Sequence, residues 1–260
     1  MSVALITGPT SGIGRGFAEG FARRGFDLVL VSRDEARLAD LAARMTAAHG
    51  VRCEVIVADL SVRADVDRVA GRLADADRPV SALVNNAGFS LASSFLAADV
   101  EGEQRLLDVL VVAVMRLTHA ALPGMIDRGH GMIINVSSIA GWITGGTYSA
   151  AKSWVTVFTE SLAQQFDCTG VRMTAACPGF VRTEFHQRAG IDMAGLPDFM
   201  WLDVDAVVEQ AFRDLAVRRS VSVTGVQYKA ISGVLRNTPR ALARFATTLR
   251  GRNPRFSPRN

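Results

Sequence analysis

The chain alternates short apolar runs with longer amphipathic stretches, and this alternation restricts its possible folds more than any other feature. The apolar runs, rich in β-branched residues, are 3–7, 28–32, 53–58, 82–86, 132–137 and 172–177. Helical patterns lie at about 12–48, including a turn, and at 63–76, 99–122 and 147–166. Near-continuous apolar strands suit a parallel sheet covered by helices on both faces. We therefore predict a single doubly wound α/β domain of the Rossmann type, with a mostly parallel sheet of roughly seven strands.

The charge of the chain is unevenly distributed. Seven arginines and no acidic residue lie between 233 and 260, and the remainder carries 22 basic against 25 acidic residues, a net charge of −3. We predict a catalytic domain at 1–235 and a basic, partly helical tail at 236–260. Apolar residues at 242, 245 and 249 favour docking of the tail on the body over contact with a membrane surface. Because the body is not basic, we expect no nucleic-acid partner.

The N-terminus and the cysteines indicate the compartment. No basic leader precedes the first apolar run, which is far too short to span a bilayer. Three cysteines without metal-ligand spacing predict neither a disulfide framework nor a metal site. We expect a cytoplasmic protein.

A glycine-rich turn follows the first strand directly. Gly8, Gly12 and Gly14 stand in "TGPTSGIG", where a helix begins. Glycines let the backbone approach a pyrophosphate, whose charge is stabilised by the free N–H groups of a helix N-terminus. The pattern predicts a dinucleotide site, although tight turns use glycine for other reasons.

The end of the second strand indicates which dinucleotide is preferred. Ser32 is followed by Arg33, and an arginine there accommodates a 2′-phosphate, whereas an acid would hold a 2′-hydroxyl. Asp34 is a rival acid but is better explained as the N-cap of the next helix. We predict NADP(H) in preference to NAD(H), with a solvated Arg33 as the alternative.

Two rare residue types occur together in "TYSAAKSW". The chain has only two tyrosines and two lysines, and Tyr148 and Lys152 lie four residues apart, on one face of a predicted helix. A nearby ammonium favours the phenolate of a tyrosine. This pair is a candidate acid/base site, with an ordinary surface pair as the alternative. Tyr228 and Lys229 are adjacent, point apart and receive no functional assignment.

Taken together, the motifs resemble the short-chain dehydrogenases/reductases. Five segments match that family in order, over residues 3 to about 183: "TGPTSGIG", "ADL" (58–60), "NNAG" (85–88), "YSAAK" (148–152) and "PGFVRT" (178–183). The resemblance implies cofactor contacts from Gly8, Thr10, Ser11, Gly12, Ile13, Gly14, Ser32, Arg33, Asp59, Leu60, Asn86, Ala87, Gly88, Tyr148, Lys152, Pro178, Gly179, Val181 and Thr183.

The resemblance also implies the catalytic roles. Tyr148 would protonate a carbonyl oxygen as hydride arrives, and Lys152 would hold the nicotinamide ribose. Ser138 would polarise the carbonyl, with Ser137 pointing the other way, and Thr183 would contact the nicotinamide carboxamide.

Two features depart from the family pattern. Only nine residues separate Ser138 from Tyr148, so their connection must be tight; Gly141, Gly145 and Gly146 would permit it. Leu110 replaces an asparagine that would help hold a water linked to the active-site lysine, so reprotonation uses another route or turnover is impaired.

These observations predict an NADP(H)-dependent oxidoreductase that reduces the carbonyl of a fairly apolar substrate, such as a 3-oxoacyl compound or similar ketone, or oxidises the alcohol. A lid at about 184–202, rich in Phe, Met and Trp, would cover the substrate; a packed surface loop is the alternative. The alternative function is a non-catalytic or impaired NADPH-binding sensor or scaffold. The resemblance also implies a homo-oligomer, a dimer or tetramer.

Overall fold

The computed structural model describes residues 2–91, 95–188 and 195–237, and it has the predicted strand and helix alternation. The strands are β1 (Val3–Thr7), β2 (Asp27–Ser32), β3 (Cys53–Val57), β4 (Ala82–Asn85), β5 (Gly131–Val136), β6 (Val171–Ala176), β7 (Phe180–Val181), β8 (Trp201–Leu202) and β9 (Val221–Ser222). The helices are α1 (Gly12–Ala22), α2 (Glu35–His49), α3 (Arg63–Ala74), α4 (Val100–Leu107), α5 (Ala113–Asp127), α6 (Gly146–Gln165), α7 (Phe185–Arg188), α8 (Val204–Ala216) and α9 (Val226–Asn237).

Seven strands form one sheet in the order β3-β2-β1-β4-β5-β6-β9. Every pairing in it is parallel, so the predicted doubly wound, parallel α/β fold is confirmed. The strand order reverses between β1 and β4. Ligands of such sheets bind outside the carboxyl ends of the strands at this reversal.

Both faces of the sheet are buried, which explains the continuous apolar runs. In β1, Ala4 and Ile6 pack with Phe17 and Phe21 of α1, whereas Leu5 joins the core on the opposite face. Helices α1, α2 and α8 cover the first face, and α3, α5 and α6 cover the second. Because successive side chains alternate between faces, each central strand must be apolar throughout.

Several details differ from the sequence prediction. The single helical range 12–48 contains two helices, with β2 between them. Strand β9 and helices α8 and α9 were not assigned from the sequence, since a two-residue strand has no periodicity to detect. At the edge of the sheet, β3 exposes 36% of Val55 and 38% of Val57, so this strand is not buried on both faces.

The long helical stretch at 100–127 is interrupted by one π-helical segment. Asp108–Val112 is π-helical and joins α4 to α5 without a break. By length and composition alone, this stretch could cross a membrane, but 44% of its most apolar 18-residue window is buried inside the fold. The core helix of a soluble protein passes the same test, so the finding is weak evidence for a membrane span.

The predicted lid has described segments at both ends. After β7, the chain forms the short helix α7, and it returns through a 3₁₀ turn at Asp198–Met200 to β8, which pairs in parallel with β7. Residues 189–194 of the lid and 238–260 of the basic tail lie outside the described residues. Helix α9 includes residues 236 and 237.

Candidate active site

The glycine turn adopts a conformation that other residues rarely reach. Gly8 and Gly12 have φ of 64° and 53°, both in the left-handed region. A Cβ on Gly14 would lie 2.1 Å from the carbonyl oxygen of Gly8, so the start of α1 packs directly on the end of β1. Thr10, Ser11, Gly12 and Ile13 are partly exposed along this turn. The first turn of α1 contains no acid, which leaves its N–H groups suited to an anion.

Arg33 lies where the sequence placed the group that selects the dinucleotide. Its side chain is 76% exposed, and Nη1 is 3.5 Å from Oδ2 of Asp59. Ser61 donates two hydrogen bonds to Asp59. Burial acts to raise the pKa of Asp59, but these hydrogen bonds and the charge of Arg33 outweigh it and hold the pKa below its ordinary value. An exposed guanidinium beside a fixed carboxylate remains available to an incoming phosphate.

Three residues near Arg33 differ in what their side chains do. Asp34 accepts a hydrogen bond from the backbone N–H of Arg37 and caps α2, as predicted. Ser32 is partly exposed at the end of β2. The side chain of Leu60 is buried in the core, so only its backbone could contact a ligand.

The "NNAG" segment is fixed to the end of β1. The Asn86 side chain donates to the carbonyl oxygens of Thr7 and Gly8, at 2.9 and 3.0 Å. The hydroxyl of Thr7 accepts from the backbone N–H groups of Asn86 and Ala87. These bonds hold the glycine turn against β4. They leave Gly88 exposed at the reversal of the strand order.

Tyr148 and Lys152 lie on one face of α6, as their spacing predicted. The Nζ atom of Lys152 is 5.7 Å from the centroid of the Tyr148 ring. Lys152 is 5% exposed and donates to the carbonyl oxygen of Val136 at 2.7 Å, whereas Tyr148 stays partly accessible. A Cβ on Gly88 would lie 3.9 Å from Nζ, so the ammonium is beside the exposed "NNAG" backbone. The two side chains therefore converge at the carboxyl edge of the sheet.

The pKa values of this pair correct one expectation from the sequence. Burial raises the pKa of Tyr148 to about 12, and a hydrogen bond with Ser138 opposes that rise. Burial also lowers the pKa of Lys152 to about 8, with a small opposing effect from Cys177. Desolvation is the largest cause of both shifts, so the pKa of Tyr148 rises, whereas the nearby ammonium was expected to lower it. The phenol is fully protonated at neutral pH.

The two serines after β5 point in different directions. Ser138 is partly exposed and hydrogen-bonded to the phenol of Tyr148, and it also accepts from the backbone N–H of Ala140. Ser137 is buried; its hydroxyl donates to the carbonyl oxygen of Lys152 at 2.7 Å and contacts the hydroxyl of Thr156. Ser138 therefore lies beside the Tyr148 hydroxyl, and the hydrogen bonds of Ser137 link α6 to the end of β5.

The short connection between Ser138 and Tyr148 is compact. Ile139–Trp142 forms a 3₁₀ turn, and α6 begins at Gly146, whose φ is 73°. A Cβ on Gly141 would lie 2.8 Å from the backbone nitrogen of Ser153, so the turn packs directly on α6. This close packing is why nine residues suffice.

Leu110 is buried beside the catalytic pair. It lies in the π-helical segment, is 1% exposed and packs with Leu106 and Ala151, next to Tyr148. A Cβ on Gly88 would lie 2.7 Å from Leu110 Cδ2. An apolar side chain thus stands where the family resemblance implies a water-binding amide.

The "PGFVRT" segment returns to the glycine turn. A Cβ on Gly12 would lie 3.0 Å from Thr183 Cγ2, which brings Thr183 next to the start of α1. Pro178 and Val181 are buried and present only backbone to the site, while Gly179 is partly exposed. The first and last segments of the predicted cofactor site, the glycine turn and "PGFVRT", therefore lie side by side at the carboxyl edge of the sheet.

Two aromatic residues near this edge were not named as site residues from the sequence, although Phe185 lies within the lid predicted at about 184–202. The ring of Phe185 lies 6.0 Å from that of Tyr148, on the side of the lid. Tyr228 is fully buried behind Gly179. Neither belongs to a motif, so spacing gave no signal for them. Among the residues that the structure describes, no group of His, Cys, Asp and Glu could hold a metal ion.

These features fit a phosphorylated dinucleotide. The turn at Gly8, Gly12 and Gly14 is tight enough to exclude side chains, the first turn of α1 contains no acid, and Arg33 offers an exposed guanidinium at the end of the second strand. Tyr148 and Lys152 lie at the opposite end, where a nicotinamide would have to react.

Comparisons with known proteins agree with this geometry. The family model for the short chain dehydrogenase matches residues 2–194. Sulfoacetaldehyde reductase 2 of Chromohalobacter salexigens is 39% identical over 198 residues, which is 74% of this chain and 78% of that protein.

Two solved structures are similar over the whole chain. A short-chain dehydrogenase from Sphingobium yanoikuyae in complex with NADPH is 35% identical, with a TM-score of 0.84 and complete coverage of both chains. The bulky-bulky ketone specific alcohol dehydrogenase from Comamonas testosteroni is 27% identical, with a TM-score of 0.78, covering 100% of this chain and 96% of that one. The motifs, the sheet order and these similarities establish that the chain belongs to the short chain dehydrogenase family, as the sequence predicted.

Proposed function

We propose that the protein is an NADP(H)-dependent carbonyl reductase, or an alcohol dehydrogenase in the reverse direction, acting on a fairly apolar substrate. The observation that carries this proposal is the convergence of Ser138, Tyr148 and Lys152 beside Gly88, at the carboxyl edge where the glycine turn also lies. Structural similarity to a dehydrogenase in complex with NADPH supports it.

Tyr148, Ser138 and Lys152 have different roles in the proposed reduction. When bound, NADPH would supply the hydride. The Tyr148 hydroxyl, which burial keeps protonated, would donate its proton to the carbonyl oxygen. Ser138 would hydrogen-bond the same oxygen and stabilise its developing negative charge. The Lys152 ammonium would hold the nicotinamide ribose and offset the charge left on Tyr148.

Arg33 supports the proposed preference for NADP(H). Its guanidinium is exposed at the end of β2 and pairs with Asp59 at 3.5 Å. A planar guanidinium matches phosphate geometry with two parallel hydrogen bonds. The acid that could oppose it, Asp34, is engaged in capping α2.

The surroundings of Tyr148 support an apolar substrate. Phe185 faces the Tyr148 ring, and the loops that follow β4, β5 and β6 expose Phe95, Ile143 and Phe199. In a parallel sheet these loops lie at the same edge as the reactive groups. A ketone with bulky apolar substituents would place them there, and a structurally similar protein is named as specific for bulky-bulky ketones.

The test is NADPH oxidation with a panel of aliphatic and aryl ketones and 3-oxoacyl thioesters. We expect turnover with apolar ketones, and a loss of about 10²-fold to 10⁴-fold in kcat for Tyr148→Phe with NADPH binding retained, because only the proton donor is removed. NADPH binding without turnover of any carbonyl compound or alcohol would reject the reductase.

One observation favours a second function. Leu110 fills the position next to Lys152 with a buried apolar side chain, which would remove a water route to the site. The alternative is therefore a non-catalytic or impaired NADPH-binding protein. Substitution of Leu110, described below, distinguishes the two.

We also propose that the protein forms a homo-oligomer through α5 and α6. Met115 and Val157 are 42% and 59% exposed on these helices, and the stacked rings of Trp154 and Phe158 lie on α6. Exposed apolar residues on neighbouring helices are typical of a protein interface when they form one patch.

A further inference from the structure

Tyr228 occupies a position where both ends of the lid meet. It lies near the start of α9, is fully buried, and packs in a cluster with Phe180, Met200 and Trp142. Phe180 belongs to β7, which leads into the lid, and Met200 immediately precedes β8, where the lid ends. One side chain therefore contacts both stems.

The hydroxyl of Tyr228 joins these stems through two hydrogen bonds. It donates to the carbonyl oxygen of Met200 at 2.6 Å and accepts from the backbone N–H of Phe180 at 3.1 Å. The stems also pair with each other, with Phe180 opposite Trp201, but this sheet has only two residues in each strand. Arg182 also joins the stems: its backbone N–H donates to the carbonyl oxygen of Leu202 and its guanidinium donates to Asp198, both at 3.0 Å. Because so short a strand pairing is weak by itself, the two hydrogen bonds of the phenol add to a small set of contacts.

The ring of Tyr228 also lies against the predicted cofactor segment. A Cβ on Gly179 would come within 2.1 to 2.3 Å of three ring carbons, so only glycine fits there. Next to Tyr228, the Gln227 side chain donates to the carbonyl oxygen of Phe199 at 3.0 Å. Two consecutive residues of α9 thus bind consecutive carbonyl groups of the returning stem.

The same cluster reaches the segment that follows Ser138. Ile139 and Trp142 of the 3₁₀ turn pack with Tyr228, and the backbone N–H of Ile139 donates to the carbonyl oxygen of Pro178 at 3.1 Å. Helix α9 therefore connects the lid stems with the loop that carries the Ser138 hydroxyl.

We propose that Tyr228 is a positioning residue: its phenol fixes both stems of the substrate lid and the backbone of Gly179 relative to Ser138 and Tyr148. The catalytic consequence rests on the proposed function, whereas the structural consequence does not. If Tyr228 were only a core aromatic residue, replacing its hydroxyl would change the stability of the fold without a specific effect on the lid.

Hydrogen–deuterium exchange of the full chain tests the structural part without requiring activity. Tyr228→Phe keeps the ring and removes both hydrogen bonds, so we expect faster exchange at the amide of Phe180 and across 198–202. Gln227→Ala removes only the bond to Phe199, so we expect faster exchange at 198–202 alone. Ser232→Ala is the matched control, because it removes a buried hydroxyl of α9 whose hydrogen bond, to the carbonyl oxygen of Lys229, lies within the helix.

Kinetics with an accepted ketone test the catalytic part. We expect Tyr228→Phe to raise KM for the ketone about tenfold, the effect of losing one or two net hydrogen bonds, and to change kcat much less. Ser232→Ala should leave KM unchanged. If Tyr228→Phe does not change exchange at the amide of Phe180 or across 198–202, the proposal is wrong, whatever the result for Gln227→Ala. If exchange increases but KM does not, Tyr228 holds the stems without positioning substrate, and the catalytic part is rejected.

Should Tyr228→Phe fail to fold, exchange in the native protein decides the structural part: we expect the amide of Phe180, which donates to the Tyr228 hydroxyl, to be protected, and rapid exchange at that amide would reject the proposal. A protein that shows the predicted exchange changes but turns over no ketone would contradict the proposed reductase and leave the role of Tyr228 in the lid supported.

Discussion

At the scale of single residues, burial controls the chemistry of the site. Tyr148 and Lys152 are close enough to interact, yet desolvation moves both pKa values away from the charged forms, to about 12 and about 8. The Tyr148 hydroxyl therefore carries the proton that reduction requires throughout the physiological pH range. The lysine, in contrast, can lose its charge near the top of that range.

The first prediction concerns pH. Because the lowered pKa of Lys152 lies at about 8, its ammonium is present below that pH and is lost above it. We expect kcat/KM for reduction to be constant at neutral pH and to fall as the pH rises through about 8, whereas Tyr148 would keep its proton up to about pH 12. A profile of kcat/KM from about pH 6 to 10 checks this. A constant rate across that range would contradict the assignment.

The second prediction concerns cofactor selection. Arg33→Ala removes an exposed guanidinium, so we expect Kd for NADPH to rise roughly tenfold to a hundredfold, since hydrogen bonds to charged groups contribute about 1.5–3 kcal/mol. NADH, which lacks the 2′-phosphate, should bind almost as before. Calorimetric titration with both cofactors measures the difference.

Arg37→Ala is the matched control for this prediction. Arg37 lies in the first turn of α2 and its side chain is 51% exposed, but it pairs with Asp34 and Glu184. Arg37→Ala should leave the affinities for NADPH and NADH unchanged. If Arg33→Ala loses equal affinity for NADPH and NADH, Arg33 does not bind the 2′-phosphate.

At the scale of elements, the helix at 100–127 carries the main departure from the family pattern. Its π-helical segment directs Leu110 toward Gly88 and Lys152, and the side chain is almost completely buried. Periodicity identified the long helix, but it could not locate the π-helical segment, because Asp108–Val112 is a single turn that enters the continuous apolar run 109–115, where no phase of the apolar pattern can be distinguished.

Leu110→Asn tests whether this position limits turnover. We expect a severalfold rise in kcat, because an amide can bind the missing water, together with a loss of about 2–4 kcal/mol of stability from an amide in an apolar setting. Steady-state kinetics and thermal unfolding measure the two effects.

Leu106→Asn is the control, since Leu106 is equally buried in α4 and belongs to the same cluster. It should lower the stability without raising kcat. If Leu110→Asn and the native protein both lack activity while binding NADPH, the non-catalytic function is favoured.

At the scale of the whole molecule, the exposed apolar faces of α5 and α6 lie outside the single-chain core. Val157→Arg introduces a charge on a residue that is 59% exposed on α6. We expect it to convert the proposed oligomer into a monomer, because an unpaired charge at the centre of an interface is costly. Light scattering measures the mass.

Val217→Arg is the matched control for the oligomer. Val217 is 66% exposed just after α8, on another part of the surface, so its substitution should leave the mass unchanged. A monomeric native protein would contradict the proposed assembly.

The sequence by itself determined the layered fold and the motif residues. Strands such as β1 and β2 are buried on both faces, so their composition could be read without knowing their neighbours, and the spacing of Tyr148 and Lys152 fixed their common face. Only the tertiary structure decided which groups are desolvated, where Leu110 points and what Tyr228 holds. Those properties arise from contacts between segments far apart in the chain, such as Tyr228 with Phe180, and no local pattern encodes them.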